Sequence, residues 1–198
     1  MRWDYWNGPD EEDRRIKYAK SFKPEFQGNG DNLQLRFRTA ISYVCGQHEI
    51  ILPTEEWASG WRSPEVNEAT ANAAKLSTHL TAEAGDRKDN VNGELCWALM
   101  KDTHPLEVNG LYMEHPVATL VRSWERAYQQ HRDPTPWCHA QTRAPASHLR
   151  CYWPDFKAEP EWNAFLAMGG YVGISYADWK VLRALRDEPP AKKKKADA

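Results

Sequence analysis

A histidine and an aspartate, His79 and Asp86, share a stretch built largely of small side chains, Ser77-Thr78-His79-Leu80-Thr81-Ala82-Glu83-Ala84-Gly85-Asp86. Imidazole nitrogen and carboxylate oxygen are both ordinary ligands of zinc. Ala82, Ala84 and Gly85 lack bulk, so the backbone can pass close to an ion while the two longer side chains converge on it. That chemistry depends on what holds the segment in place.

The surrounding elements can be read from periodicity and punctuation. Residues 1–30 are polar and broken by Gly and Pro, an irregular or partly helical lead-in. Leu33, Phe37, Ile41 and Val44 recur at helical spacing, with Asp31 or Asn32 as cap and Gly46 as stop. His48–Leu52 is a β-prone run closed by Pro53. Ser63 before Pro64 starts a helix over 64–75. Residues 77–86 read as a loop entering a strand. Helices are expected over 92–101, 117–130 and 176–186, and strands over 106–113 and 137–143. Helices and short strands mix without regular alternation, which predicts an α+β fold of one domain over 31–186. The Pro- and Ala-rich end, with its run Lys192–Lys195, reads as a disordered tail over 187–198.

Composition narrows the class. A formal net charge of -2 argues against a nucleic-acid binder, which needs a basic surface. Cys45, Cys96, Cys138 and Cys151 form no Cys-x-x-Cys pair, so zinc-finger and thioredoxin readings lose their usual support. Neither a disulfide pairing nor a fully reduced state follows from their spacing. The start, Met1-Arg2-Trp3-Asp4-Tyr5-Trp6, lacks the apolar run of a classical signal peptide, and no stretch is expected to insert in a membrane.

The 77–86 segment resembles the Ser-x-His-x-x-Gly-x-Ala-x-Asp signature of the zinc D-Ala-D-Ala carboxypeptidase family. That family includes phage L-alanyl-D-glutamate endopeptidases and shares its fold with the hedgehog signalling domain. Ser77, His79, Ala84 and Asp86 match, and Ala82 stands at the Gly position. Upstream, Gly60-Trp61-Arg62-Ser63 is similar to the family's Gly-Tyr-Arg-Ser segment. Downstream, Trp137-Cys138-His139 resembles the Trp-x-His strand that carries the third ligand. The likeness spans roughly residues 31–154. It implies a small, mainly antiparallel sheet with surrounding helices, and Zn2+ held by His79, Asp86 and His139. Two His and one Asp leave a fourth position open for water, the catalytic arrangement.

The resemblance also implies the remaining roles. The reaction is zinc-assisted hydrolysis of amide bonds in peptidoglycan stem peptides, by a carboxypeptidase or an endopeptidase. Arg62 suits a substrate carboxylate through a two-pronged contact. The family's acid often stands three residues before the third ligand, where this chain has Pro136. Asp133 is therefore the expected general base, as in relatives with a longer interval, with Glu114 second. Gln141 shares a strand face with His139 and could hold a ligand water or a substrate amide, or serve packing. From their places in the sequence, Trp57, Trp61 and Trp137 suit core packing, with Trp61 or Trp137 also walling the pocket. Phage relatives imply phage-mediated delivery to the wall after cytoplasmic synthesis. A second reading of the same residues is a zinc-stabilised, non-catalytic wall-binding or structural domain.

Overall fold

The stripe Phe26, Gly30, Leu33, Phe37, Ala40, Ile41 and Val44 is the buried face of one long helix. Its spacing of three and four residues keeps a single side inward. The structure, a computed structural model, describes residues 4–7, 12–70, 73–152 and 175–187. In it a short helix α1 (Arg14–Lys17) precedes this long α2 (Pro24–His48). Helix α2 begins ahead of the expected Asp31, because Pro24 occupies its first turn while Gly28 and Gly30 dilute the sequence pattern. It runs past Gly46 and closes at Glu49, which takes the left-handed conformation at φ 54°.

The sheet follows in short pieces. Strand β1 is Trp57–Ser59, so the run at 48–52 is helix end and loop instead of a strand. Helix α3 (Pro64–Ala69) has Ser63 as its cap, the Ser63 hydroxyl accepting from the Val66 amide, and it stops short of residue 75. A 3-10 turn (Thr78–Thr81) leads into β2 (Ala84–Lys88). Next come α4 (Glu94–Lys101), α5 (His104–Val108) and β3 (Tyr112–Glu114). The expected strand over 106–113 is thus helix at 106–108, turn and loop at 109–111 and strand only from 112: Pro105 fits a first turn, and Gly110 at φ 60° makes the bend before β3. Helix α6 (Pro116–Gln129), β4 (Trp137–Gln141), β5 (Cys151–Tyr152) and α7 (Tyr176–Asp187) complete the described elements. The tail beyond 187 lies outside the described residues.

Five strands form one open sheet in the order β1-β2-β4-β3-β5. The β1–β2, β2–β4 and β3–β4 pairs are antiparallel and β3–β5 is parallel. The fold is therefore mixed α+β around a small sheet, as the irregular alternation predicts. Gly85, Cys138, Ala140, Met113 and Cys151 stand on one face, and the last four pack with Phe37, Leu95 and Leu106 from the helices behind. A second apolar cluster joins α4, α6 and α7 through Trp97, Leu120, Trp124 and Trp179. The four cysteines are free thiols. Among the described residues no helix is long and apolar enough to cross a membrane.

Tyr5 and Trp6, inside the segment read as a lead-in, are buried in the main core. Tyr5 donates its hydroxyl to the Ala84 carbonyl at 3.0 Å. A side chain at Gly60 would place its Cβ 1.7 Å from the Tyr5 carbonyl oxygen, so only glycine admits this crossing.

Candidate metal centre

Register brings the ligands together. In the β2–β4 pair Asp86 lies directly opposite His139, and in β1–β2 it lies opposite Ser59. Directly opposed residues share a sheet face. Tyr112 pairs with Gln141 and Met113 with Ala140, so the next step of that register sets Glu114 opposite His139. Glu114 in turn pairs with Tyr152. One polar row, Ser59–Asp86–His139–Glu114–Tyr152, thus crosses all five strands on the face away from the main core.

His79 reaches this row from the 3-10 turn. The Ser77 hydroxyl caps that turn by accepting from the His79 amide. Ala82 ends it in the left-handed region at φ 58°. That conformation favours glycine, which gives a physical reason for a Gly at this place in the resembled signature. The segment at 60–62 clamps the turn from the other side. The Arg62 amide donates to the His79 carbonyl at 3.1 Å, and the Trp61 indole N–H donates to the Leu80 carbonyl at 3.1 Å. The His79 ring lies 2.7 Å, at Nδ1, from the Gly60 carbonyl. A carbonyl only accepts, so Nδ1 carries the proton and Nε2 keeps its lone pair for a cation.

His79, Asp86 and His139 are the one group of potential metal ligands found among the described residues, with ligand atoms within 4.8 Å of one another. His79 Nε2 is 3.5 Å from Asp86 Oδ2. Two ligands on a tetrahedral ion at 2.0–2.1 Å stand about 3.3 Å apart, so this spacing fits. His139 Nδ1 donates to Asp86 Oδ1 at 2.7 Å, a contact whose proton a cation would replace. Arg62 donates from its terminal nitrogen to Asp86 Oδ2 at 3.2 Å and from Nε to the Ser59 hydroxyl at 3.0 Å.

The electrostatics suit a cation. Burial alone would raise the Asp86 carboxyl, but the two neighbouring imidazoles, His79 and the hydrogen-bonded His139, outweigh it. The group stays well below the usual carboxylate range. Burial, with the nearby Arg62 charge, pushes His79 down toward the neutral imidazole that binds metals. Burial would lower His139 too, yet the charge of Glu114 and the bond to Asp86 carry it upward.

No family model, curated protein or solved structure matches this chain. The site therefore rests on its own geometry.

The structure separates the two candidate bases. Glu114 is half-buried in the polar row, and its charge is felt at His139, Arg62 and Tyr152. It also accepts from Arg122 at 3.0 Å. Asp133 is exposed in the loop before β4, and its charge registers at Tyr176 at the start of α7. Gln141 has both ends of its amide engaged. Its oxygen accepts from the Thr78 hydroxyl at 3.1 Å and the Tyr152 hydroxyl at 2.9 Å, and its nitrogen donates to the Arg143 carbonyl at 2.6 Å. It ties the His79 turn to β4 and β5. Trp137 is partly exposed at the start of β4, with Arg122 and Arg126 each 6.0 Å from its ring. Sequence reasoning missed Ser59 and Tyr152. Neither carries a local motif, and only the cross-strand register reveals them.

Proposed function

We propose that this protein is a zinc-dependent hydrolase of amide bonds in peptidoglycan stem peptides, with the hedgehog/DD-peptidase type of fold. The observation that carries the reading is the convergence of His79, Asp86 and His139 in a row that also holds a carboxylate, Glu114. The ligand-bearing antiparallel β2–β4 pair supports the fold assignment. Zinc held there supplies a Lewis acid for the scissile carbonyl and a lowered pKa for water. Glu114 is the general base in this proposal: it takes the proton of the attacking water and returns it to the leaving amine. Arg62 fixes Asp86 and adds positive charge beside the developing oxyanion. A phage or prophage origin, with delivery to the wall, belongs to the same proposal.

One observation favours the second reading, a zinc-stabilised domain that binds wall material without cutting it. His79, Asp86 and His139 are only 3%, 5% and 7% exposed, and closed sites are the structural kind. Metal analysis paired with digestion of purified peptidoglycan decides between them. The hydrolase should release new amino groups, and a chelator should abolish the release. Glu114→Gln should keep zinc and lose roughly 10²–10⁴-fold in turnover, with Asp133→Asn mild. Zinc-loaded, folded protein that releases no amines from several wall types would overturn the hydrolase reading in favour of the binding domain.

A further inference from the structure

The end of the polar face where β4 begins carries three cations around one indole. Lys88 lies opposite Trp137 in the β2–β4 pair and is held by Glu56 at 2.6 Å. Arg122 and Arg126, one helical turn apart on α6, each stand 6.0 Å from the Trp137 ring. Two guanidiniums at this spacing repel each other unless something compensates them. Arg122 is compensated by Glu114. No carboxylate pairs with the exposed Arg126 among the described residues.

Trp137 and His139 are two residues apart on one strand, so they project from the same face with roughly 7 Å between them along the strand. An anion resting on Arg126 and Trp137 would thus sit about one to two extended peptide residues from a bond held at the metal ligands. Arg62 is turned inward onto Asp86 and Ser59, and Lys88 and Arg122 are held by Glu56 and Glu114, so among these described cations the exposed one without a carboxylate is Arg126. Cation–π attraction to the indole also limits the orientations that the guanidinium loses on meeting a planar carboxylate.

We propose that Arg126, set over the Trp137 ring, is a specificity subsite for a carboxylate on the substrate residue next to the scissile amide. The proposal rests on the amide-hydrolysis reading for what occupies the neighbouring metal site. It narrows the substrate class to acidic peptides, as against their amidated counterparts.

The test uses zinc-loaded protein and two short stem-type peptides that differ only in a free carboxylate or a carboxamide on the residue after the scissile bond. Calorimetric binding and amine release are both read. The wild type should bind the acid about tenfold more tightly than the amide, the low end for a charge-assisted pair because Arg126 is exposed. Arg126→Gln should bring that ratio to about one, and Arg126→Lys should restore part of it. Zinc content and circular dichroism report whether each variant is folded. Equal binding of both peptides by the wild type, or an undiminished preference in Arg126→Gln, would overturn the subsite. Arg126-dependent binding without amine release upholds the subsite and removes the hydrolase reading. Release from both peptides at equal efficiency does the reverse.

Discussion

Asp86 within β2 and Asp89 just past its end are 5% and 4% exposed, and their carboxyl pKa values move in opposite directions. Asp86 faces side chains: His139 at 2.7 Å, Arg62 at 3.2 Å and His79 at 3.5 Å. Asp89 faces mainly backbone amides, accepting from Asn90 at 2.7 Å, Cys96 at 3.0 Å and Leu95 at 3.1 Å, with the Cys96 thiol beside them. Those three bonds satisfy its oxygens and pin the N-terminus of α4, yet burial still raises its carboxyl above the ordinary value. Full hydrogen bonding, then, does not by itself offset the cost of burying a carboxylate. A carboxylate ringed by imidazoles and a guanidinium is one whose protons a metal ion can replace. A carboxylate ringed by amides is a cap.

The largest test of that contrast is metal retention. At the proposed zinc site, Asp86→Ala should weaken metal binding by more than the roughly 10²-fold that removing an outer partner costs, while Asp89→Ala keeps the wild-type metal content. Metal content after dialysis reads both, and equal loss in the two variants would erase the distinction. Stability comes next. Asp89→Ala strands the Leu95 and Cys96 amides and should lower the free energy of urea unfolding by about 1–3 kcal/mol.

The smallest effect is the pH slope of the metal-free protein. Asp86 is depressed on folding, so its contribution is present above its unfolded value of about 3.9 and fades as pH falls through the folded one. Asp89 is raised, so the folded state binds its proton more tightly. Its contribution grows as pH falls through the raised value toward about 3.9. Asp86→Asn should flatten the acid loss and Asp89→Asn should steepen it. Chevron-free equilibrium unfolding between pH 3 and 6 measures both, and slopes of like sign would refute the assignment.

Local signals carried much of this arrangement. The stripe from Leu33 to Val44, the Ser63-Pro64 start and the small residues between His79 and Asp86 each act over a few positions, and each is visible in sequence. The strands at 57–59, 112–114 and 151–152 are two or three residues long, too short for any period to register. For the same reason Glu114 could not be placed opposite His139 from sequence. That relation is created by pairing β3 with β4, not by either strand alone. Asp133 stands nearer His139 along the chain, but the turn before β4 carries it out to the surface. Gln141 shows the other side of the same rule. Its face could be read from alternation, whereas the Thr78 and Tyr152 hydroxyls that occupy it come from distant segments.

The Tyr5 crossing bears on how the chain assembles. Tyr5 leaves the ribosome first among these parts, but its hydroxyl waits for Ala84 and its backbone for Gly60. Contacts of such long sequence separation close late and slow folding. A fragment trimmed to 31–154, the span on which the sequence likeness rests, would leave the Trp57 ring and the Gly60 and Gly85 surfaces without the tyrosine packed against them. The His79–Asp86 segment is therefore backed by a residue 79 positions ahead of its Ala84, and a fragment without Tyr5 leaves that backing open.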